Sequence, residues 1–141
     1  MNWLTFAILA ALSYGFYNFF AKLSSDKLSP TIGAMFISGT AFLVAAISTI
    51  IFRITGQNLS VSKNGILFPI IAGLFAGLAE VFYLFMFSKN TPVSLGNPLV
   101  VGGTTFIAVI LGLLILKEPI NLTRIIGILA TLIGLIILSR S

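Results

Sequence analysis

Glu80 stands alone in an apolar run, with Leu74 to Ala79 before it and Val81 to Phe87 after it. A carboxyl group held among such residues can take a proton or a cationic group. The other two acids, Asp26 and Glu118, show no spacing that would build a carboxylate dyad. The chain has no Cys and no His, which removes thiol nucleophiles, disulfides, haem ligation, Cys/His metal sites and imidazole acid/base chemistry. No metal and no cofactor is expected. What remains is polar and aromatic. Tyr14, Tyr17 and Asn18 lie within five positions of one another and can line a polar pocket. Tyr83 is close to Glu80 in sequence, and Asn97 precedes Pro98 at the start of another apolar run. Pro98 removes a backbone donor and should kink or start a helix there, leaving a free carbonyl beside the Asn97 amide. Kinked helices recur at transporter binding sites. Glu80, Asn18, Tyr14, Tyr17, Asn97 and Tyr83 are therefore the candidate substrate- or ion-binding residues.

The elements that must carry these residues are membrane spans. The 141 residues are 58% hydrophobic and 8% charged, with a mean hydropathy of +1.15. An ordinary soluble domain is about a quarter charged, so this chain cannot coat a water-facing surface. A bilayer crossing needs about 17–25 apolar residues. Five stretches fit, at about 3–21, 32–54, 66–87, 93–116 and 122–138, separated by short polar connections. The expected fold is an all-α integral membrane protein, one transmembrane domain over 1–141. The first stretch lacks the basic flank of a signal peptide and reads as a span.

Lipid supplies little hydrophobic drive for helices to associate, so small residues and polar contacts must do it. Stripes of small residues occur at Ala7, Ala11 and Gly15, at Ala34, Ser38, Ala41, Ala45 and Ser48, at Gly73, Ala76 and Gly77, and at Gly127, Thr131 and Gly134. Gly73, Gly77, Gly127 and Gly134 are read as helix-packing positions in a compact bundle. At 100° per residue Glu80 falls about 20° from Gly73, on the same face, turned inward. The aromatic groups Tyr14 to Phe20 and Phe82 to Phe87 read first as interfacial belts, which leaves open the pocket role of Tyr14, Tyr17 and Asn18.

The net charge is +5. The eight Lys and Arg stand singly at the ends of apolar runs, so the excess marks membrane topology, and no nucleic-acid partner is expected. Five spans put the termini on opposite sides. The N-terminal side carries Arg53, Lys63, Lys117 and Arg124, and the other side Lys22, Lys27, Lys89 and Arg140. The positive-inside rule gives no preferred orientation, as expected of a chain that inserts both ways.

Two stretches carry a family signature. Leu113-Leu114-Ile115-Leu116-Lys117-Glu118-Pro119 and the Gly-rich apolar run from Ile126 to Leu138 resemble the EamA repeat, with Lys117 where Gly is usual. Tyr14-Gly15-Phe16-Tyr17-Asn18-Phe19-Phe20-Ala21-Lys22 resembles its first helix. The resemblance spans essentially the whole chain and implies a single five-helix repeat of the drug/metabolite transporter superfamily, a half-transporter of the bacterial and archaeal type. Longer relatives fuse two such repeats in opposite orientation around a cavity. The resemblance implies a secondary transporter of a small metabolite or drug-like solute in a prokaryotic inner (plasma) membrane. It would work as a homodimer, antiparallel if the chain inserts both ways, with the site between subunits. The other reading is a membrane subunit that scaffolds or assists flipping of a lipid-linked compound. Glu80 matches no motif of the family, and its role rests on its place in the apolar run.

Overall fold

In a computed structural model the described residues are 2–60, 62, 65–119 and 121–138, without the side chain of Arg124. Lys63, Arg140 and the Arg124 side chain, three members of the cation tally, lie outside them. The described residues form five helices: α1 (Trp3–Ser25), α2 (Pro30–Ile54), α3 (Leu67–Ser88), α4 (Val93–Leu114) and α5 (Leu122–Leu138). No strand occurs among them. The first four are long and apolar enough to cross a membrane, and α5, at 17 residues, is a shorter apolar helix at the low end of that range.

Local chemistry sets the ends. α1 runs past Ala21 to Ser25 because Ser24 and Ser25 return their hydroxyls to the carbonyls of Ala21 and Lys22, and Lys22 pairs with Asp26 at i,i+4. α2 starts at Pro30, whose ring presets φ for a first helical position. It ends in a Schellman turn. Gly56, at φ 78°, donates to Arg53, and Gln57 donates to Phe52. Asn90 closes α3 at φ 61°. α4 begins at Val93, before Asn97-Pro98, so Pro98 lies inside the helix rather than opening it. It leaves the Ser94 carbonyl without its helical donor. α4 stops at Leu114, short of 116, because Lys117 turns the chain at φ 53° and the Glu118 N–H reaches back to the Gly112 carbonyl at 3.1 Å.

The chain divides into two compact units, Met1–Asn90 and Thr91–Ser141. In the first, the buried residues are Asn18 and Ala21 of α1, Gly33 and Ala34 of α2, and Tyr83, Leu84 and Phe87 of α3. All lie where α1 ends, α2 begins and α3 ends, so the core sits at one end of the three helices. Gly33 makes the close approach there: a Cβ on it would stand 3.0 Å from Leu84 Cδ1. In the second unit α4 packs on α5, with Gly96, Gly102 and Gly112 of α4 buried. A Cβ at Gly102 would run into the Leu135 side chain.

Inside each unit the helices meet at positions other than the glycines of the small-residue stripes. Within unit 1 nothing comes within 4 Å of a Cβ built on Gly73 or Gly77, and within unit 2 the same holds for Gly127 and Gly134. Ala7, Ala11, Ala41 and Ala45 are exposed as well. Small side chains are equally at home against lipid, so their period alone does not say which face meets a helix. Hydroxyls on the open faces are satisfied locally: Ser13, Ser48, Thr49, Thr105 and Thr131 each donate to the carbonyl four residues earlier.

Candidate functional site

The site is built where α1 and α3 run side by side. Tyr17 and Asn18 are neighbours on α1. Glu80 and Tyr83, three apart, share a face of α3. The Tyr17 hydroxyl donates to Glu80 Oε2 at 2.5 Å. The Tyr83 hydroxyl donates to Asn18 Oδ1 at 2.8 Å. One turn further, Lys22 Nζ donates to the Phe87 carbonyl at 3.2 Å and to Asp26 Oδ1 at 2.8 Å. Partners 17 and 80, 18 and 83, and 22 and 87 rise together, as parallel helices require.

Aromatic rings frame the carboxylate. Tyr17 and Tyr83 stack with centroids 6.1 Å apart and planes 14° from parallel. Tyr14 meets Tyr17 edge-on at 6.2 Å, and Phe87 meets Tyr83 in the same manner at 4.7 Å. Asn18 and Tyr83 are each only 8% exposed, and Phe87 is fully buried. Glu80 itself is half-buried. Its Oε2 is held by Tyr17, while its Oε1 is shielded from solvent and has no hydrogen-bond partner among the described residues. Among those residues the Lys22–Asp26 pair lies elsewhere, and no described Lys or Arg is in ion-pair contact with Glu80. A buried acceptor without a donor is costly, which makes Oε1 a place for a proton or a positive ligand atom.

Tyr17 also opens onto a second feature of the same unit. A groove of about 830 Å³ lies between α1 and α2, lined by Ser13, Tyr14 and Tyr17 on one side and by Phe36, Thr40, Ala41 and Ala45 among others on the other. Its wall is apolar apart from the hydroxyls. One tyrosine thus touches both the groove and the carboxylate.

The sequence matches the model of the EamA-like transporter family over residues 1–140. This chain belongs to that family. It is an all-helical membrane protein of transporter type, and the match covers both compact units. No match was found among curated proteins or among solved structures.

In this EamA-family chain the structure brings together five of the six residues expected at the site: Tyr14, Tyr17, Asn18, Glu80 and Tyr83. The five come from α1 and α3 of the first unit; Asn97 belongs to the second. It lies in α4, half-buried within the second unit. The aromatic belts are also corrected in part. Tyr83 and Phe87, four apart, turn inward, whereas Phe82 and Phe85 stay exposed, and Tyr14 is 68% exposed. Two participants lacked a signal strong enough to find them. Lys22 reads as an anchoring cation, yet it ties α1 to the end of α3. Gly33 belongs to no stripe, yet it lets α2 close on Leu84.

Proposed function

We propose that this chain is a secondary transporter of a small metabolite or drug-like solute, and that Glu80 with Tyr14, Tyr17, Asn18 and Tyr83 is where the solute or its coupling ion binds. The observation that carries the reading is the Glu80 carboxylate, with one oxygen on Tyr17 and the other shielded and without a hydrogen-bond partner among the described residues. A proton or a cationic group satisfies Oε1, and the tyrosine faces suit a positive ligand. The groove on the far side of Tyr17 gives a solute a way in between α1 and α2.

The working unit is a homodimer in a prokaryotic plasma membrane. One five-helix chain is small to enclose a pathway, and transporters commonly rock two related halves about a midplane site. The balanced cation tally in the sequence supports insertion in both orientations, hence an antiparallel pair whose site lies between the copies. The open stripes at Gly73, Gly77, Gly127 and Gly134 leave surfaces on which a second copy can pack closely.

Proteoliposome flux tests this. The wild-type chain should move a cationic solute down or against a proton gradient, and Glu80→Gln should abolish the movement while remaining inserted and folded. Normal flux by Glu80→Gln across pH would make Glu80 structural. Activity seen only with an added partner protein would favour the membrane-subunit role instead.

A further inference from the structure

The Schellman turn after α2 folds the chain back into a cavity of about 640 Å³, lined by Thr49, Arg53, Gly56, Gln57, Asn58 and Leu59. It lies in the first unit, at the opposite end of α2 from Gly33 and Ala34. We propose that this cavity binds a phosphate-bearing anion at the membrane boundary, with Arg53 as the charged ligand and the Gln57 and Asn58 amides as further donors.

Three observations converge. First, Arg53 is not spent on its own helix end. The carbonyls of Ile51, Phe52 and Arg53 already accept the N–H groups of Thr55, Gln57 and Gly56. Second, the guanidinium and both amides make no hydrogen bond or ion pair among the described residues, and no acid lines the cavity. Asp26 pairs with Lys22 where α1 ends, away from this turn. Third, the donor set fits the ligand. A guanidinium grips two phosphate oxygens with a planar fork, and amide N–H groups suit the remaining ones. Gly56, in the left-handed region and with nothing within 4 Å of a Cβ position, leaves the backbone open to a bulky anion. Leu59 adds an apolar edge. An arginine at the end of a membrane span, beside an apolar edge, stands at headgroup depth, so the phosphate can come from a lipid or from solution.

The full-length protein in detergent would be incubated with phosphatidylglycerol, or with diacylglycerol of the same chains as a phosphate-free control, and retained lipid read by native mass spectrometry. Phosphatidylglycerol should be retained and diacylglycerol not. Arg53→Gln should lower retention about tenfold, in line with loss of a charge-assisted hydrogen bond. The pair Gln57→Ala and Asn58→Ala, outside the helix and so harmless to it, should lower it as well. Arg53→Lys should not restore it, because the fork is gone, and Lys27→Gln, the same charge change elsewhere, should leave it intact. Displacement by inorganic phosphate or glycerol 3-phosphate would assign the site to soluble phosphates, and resistance to both would assign it to the lipid headgroup. Wild-type retention by Arg53→Gln, full rescue by Arg53→Lys, or an equal loss in Lys27→Gln would each overturn the proposal.

Discussion

The Tyr83 hydroxyl donates to the side-chain oxygen of Asn18, 2.8 Å away, in a buried polar contact of the first unit. Asn18 sits next to Tyr17 on α1, and Tyr83 sits one turn after Glu80 on α3. The same two helix faces therefore carry both the shielded pair and the carboxylate with its open oxygen. The first ties the two helices together beside the site, and the second leaves one oxygen open to a ligand.

Removing the shielded pair should cost stability while leaving the Tyr17–Glu80 hydrogen bond in place. Asn18→Ala, Tyr83→Phe and the double variant form a cycle whose coupling should be about 0.6 kcal/mol and no more than about 1.7 kcal/mol, the range for hydrogen bonds between membrane helices. Reversible unfolding in mixed micelles measures it. Additive losses would mean that the bond contributes nothing to the pairing.

Tyr17→Phe should behave differently. It keeps the stack on Tyr83 and takes the donor from Glu80 Oε2, so both carboxylate oxygens are then without a side-chain partner. A loss of about 1–3 kcal/mol in stability is expected. Replacing the acid as well, in Tyr17→Phe with Glu80→Leu, should recover most of it, since an apolar pair leaves no polar atom unsatisfied.

In the second unit, Gly102→Ala drives a methyl group into Leu135. Overpacking of this kind costs about 1–3 kcal/mol. Adding Leu135→Ala should relieve the clash, and thermal melts in detergent compare the three variants. A neutral Gly102→Ala would show that Leu135 swings clear freely.

Lys117 holds a left-handed backbone at φ 53°, at the position where the repeat it resembles carries Gly. Such a conformation costs a residue with a Cβ about 1–2 kcal/mol. Lys117→Gly should therefore raise stability by about 1 kcal/mol in the same melts. It also removes one of four cations from the N-terminal side. The variant should be more stable as a fold and shifted in orientation, two effects that separate readouts distinguish.

Orientation has its own test. A cysteine placed at Asn2, in a chain that otherwise has none, should react with an impermeant reagent to about half in sealed vesicles if the chain inserts both ways. Adding three Lys to either side should drive labelling toward all or none. If an antiparallel pair is required, each biased variant should be inactive alone and the two active together.

The composition and the apolar runs made the five helices legible, because length and hydropathy are what a bilayer selects. The acid was legible for the same reason, since a lone carboxylate among apolar residues must find polar company. Tyr17 and Asn18 could be nominated as polar residues facing inward, but not paired with Glu80 and Tyr83, which lie more than 60 positions away. The close approach of α2 to α3, where Gly33 meets Leu84, likewise leaves no periodic trace. The glycine stripes do not mark the contacts within each unit, for a physical reason. Period reports which residues share a face, whereas the neighbour on that face is lipid, helix or a second chain.

The core of the first unit, gathered where α1 ends, α2 begins and α3 ends, should make the three-helix unit stiffer at that end than at the other. Tyr17, Asn18 and Lys22 tether α1 to α3 at one end, and toward the other, among the described residues of this unit, nothing stands within 4 Å of a Cβ built on Gly73 or Gly77. Helices pinned at one end and free at the other move like tines: small rotations at the pinned core become larger displacements at the far tips. Backbone amides near Ala7 and Gly73 should therefore exchange with solvent deuterium sooner than those near Ala21 and Leu84, and the groove beside Tyr17 should widen from the free ends inward.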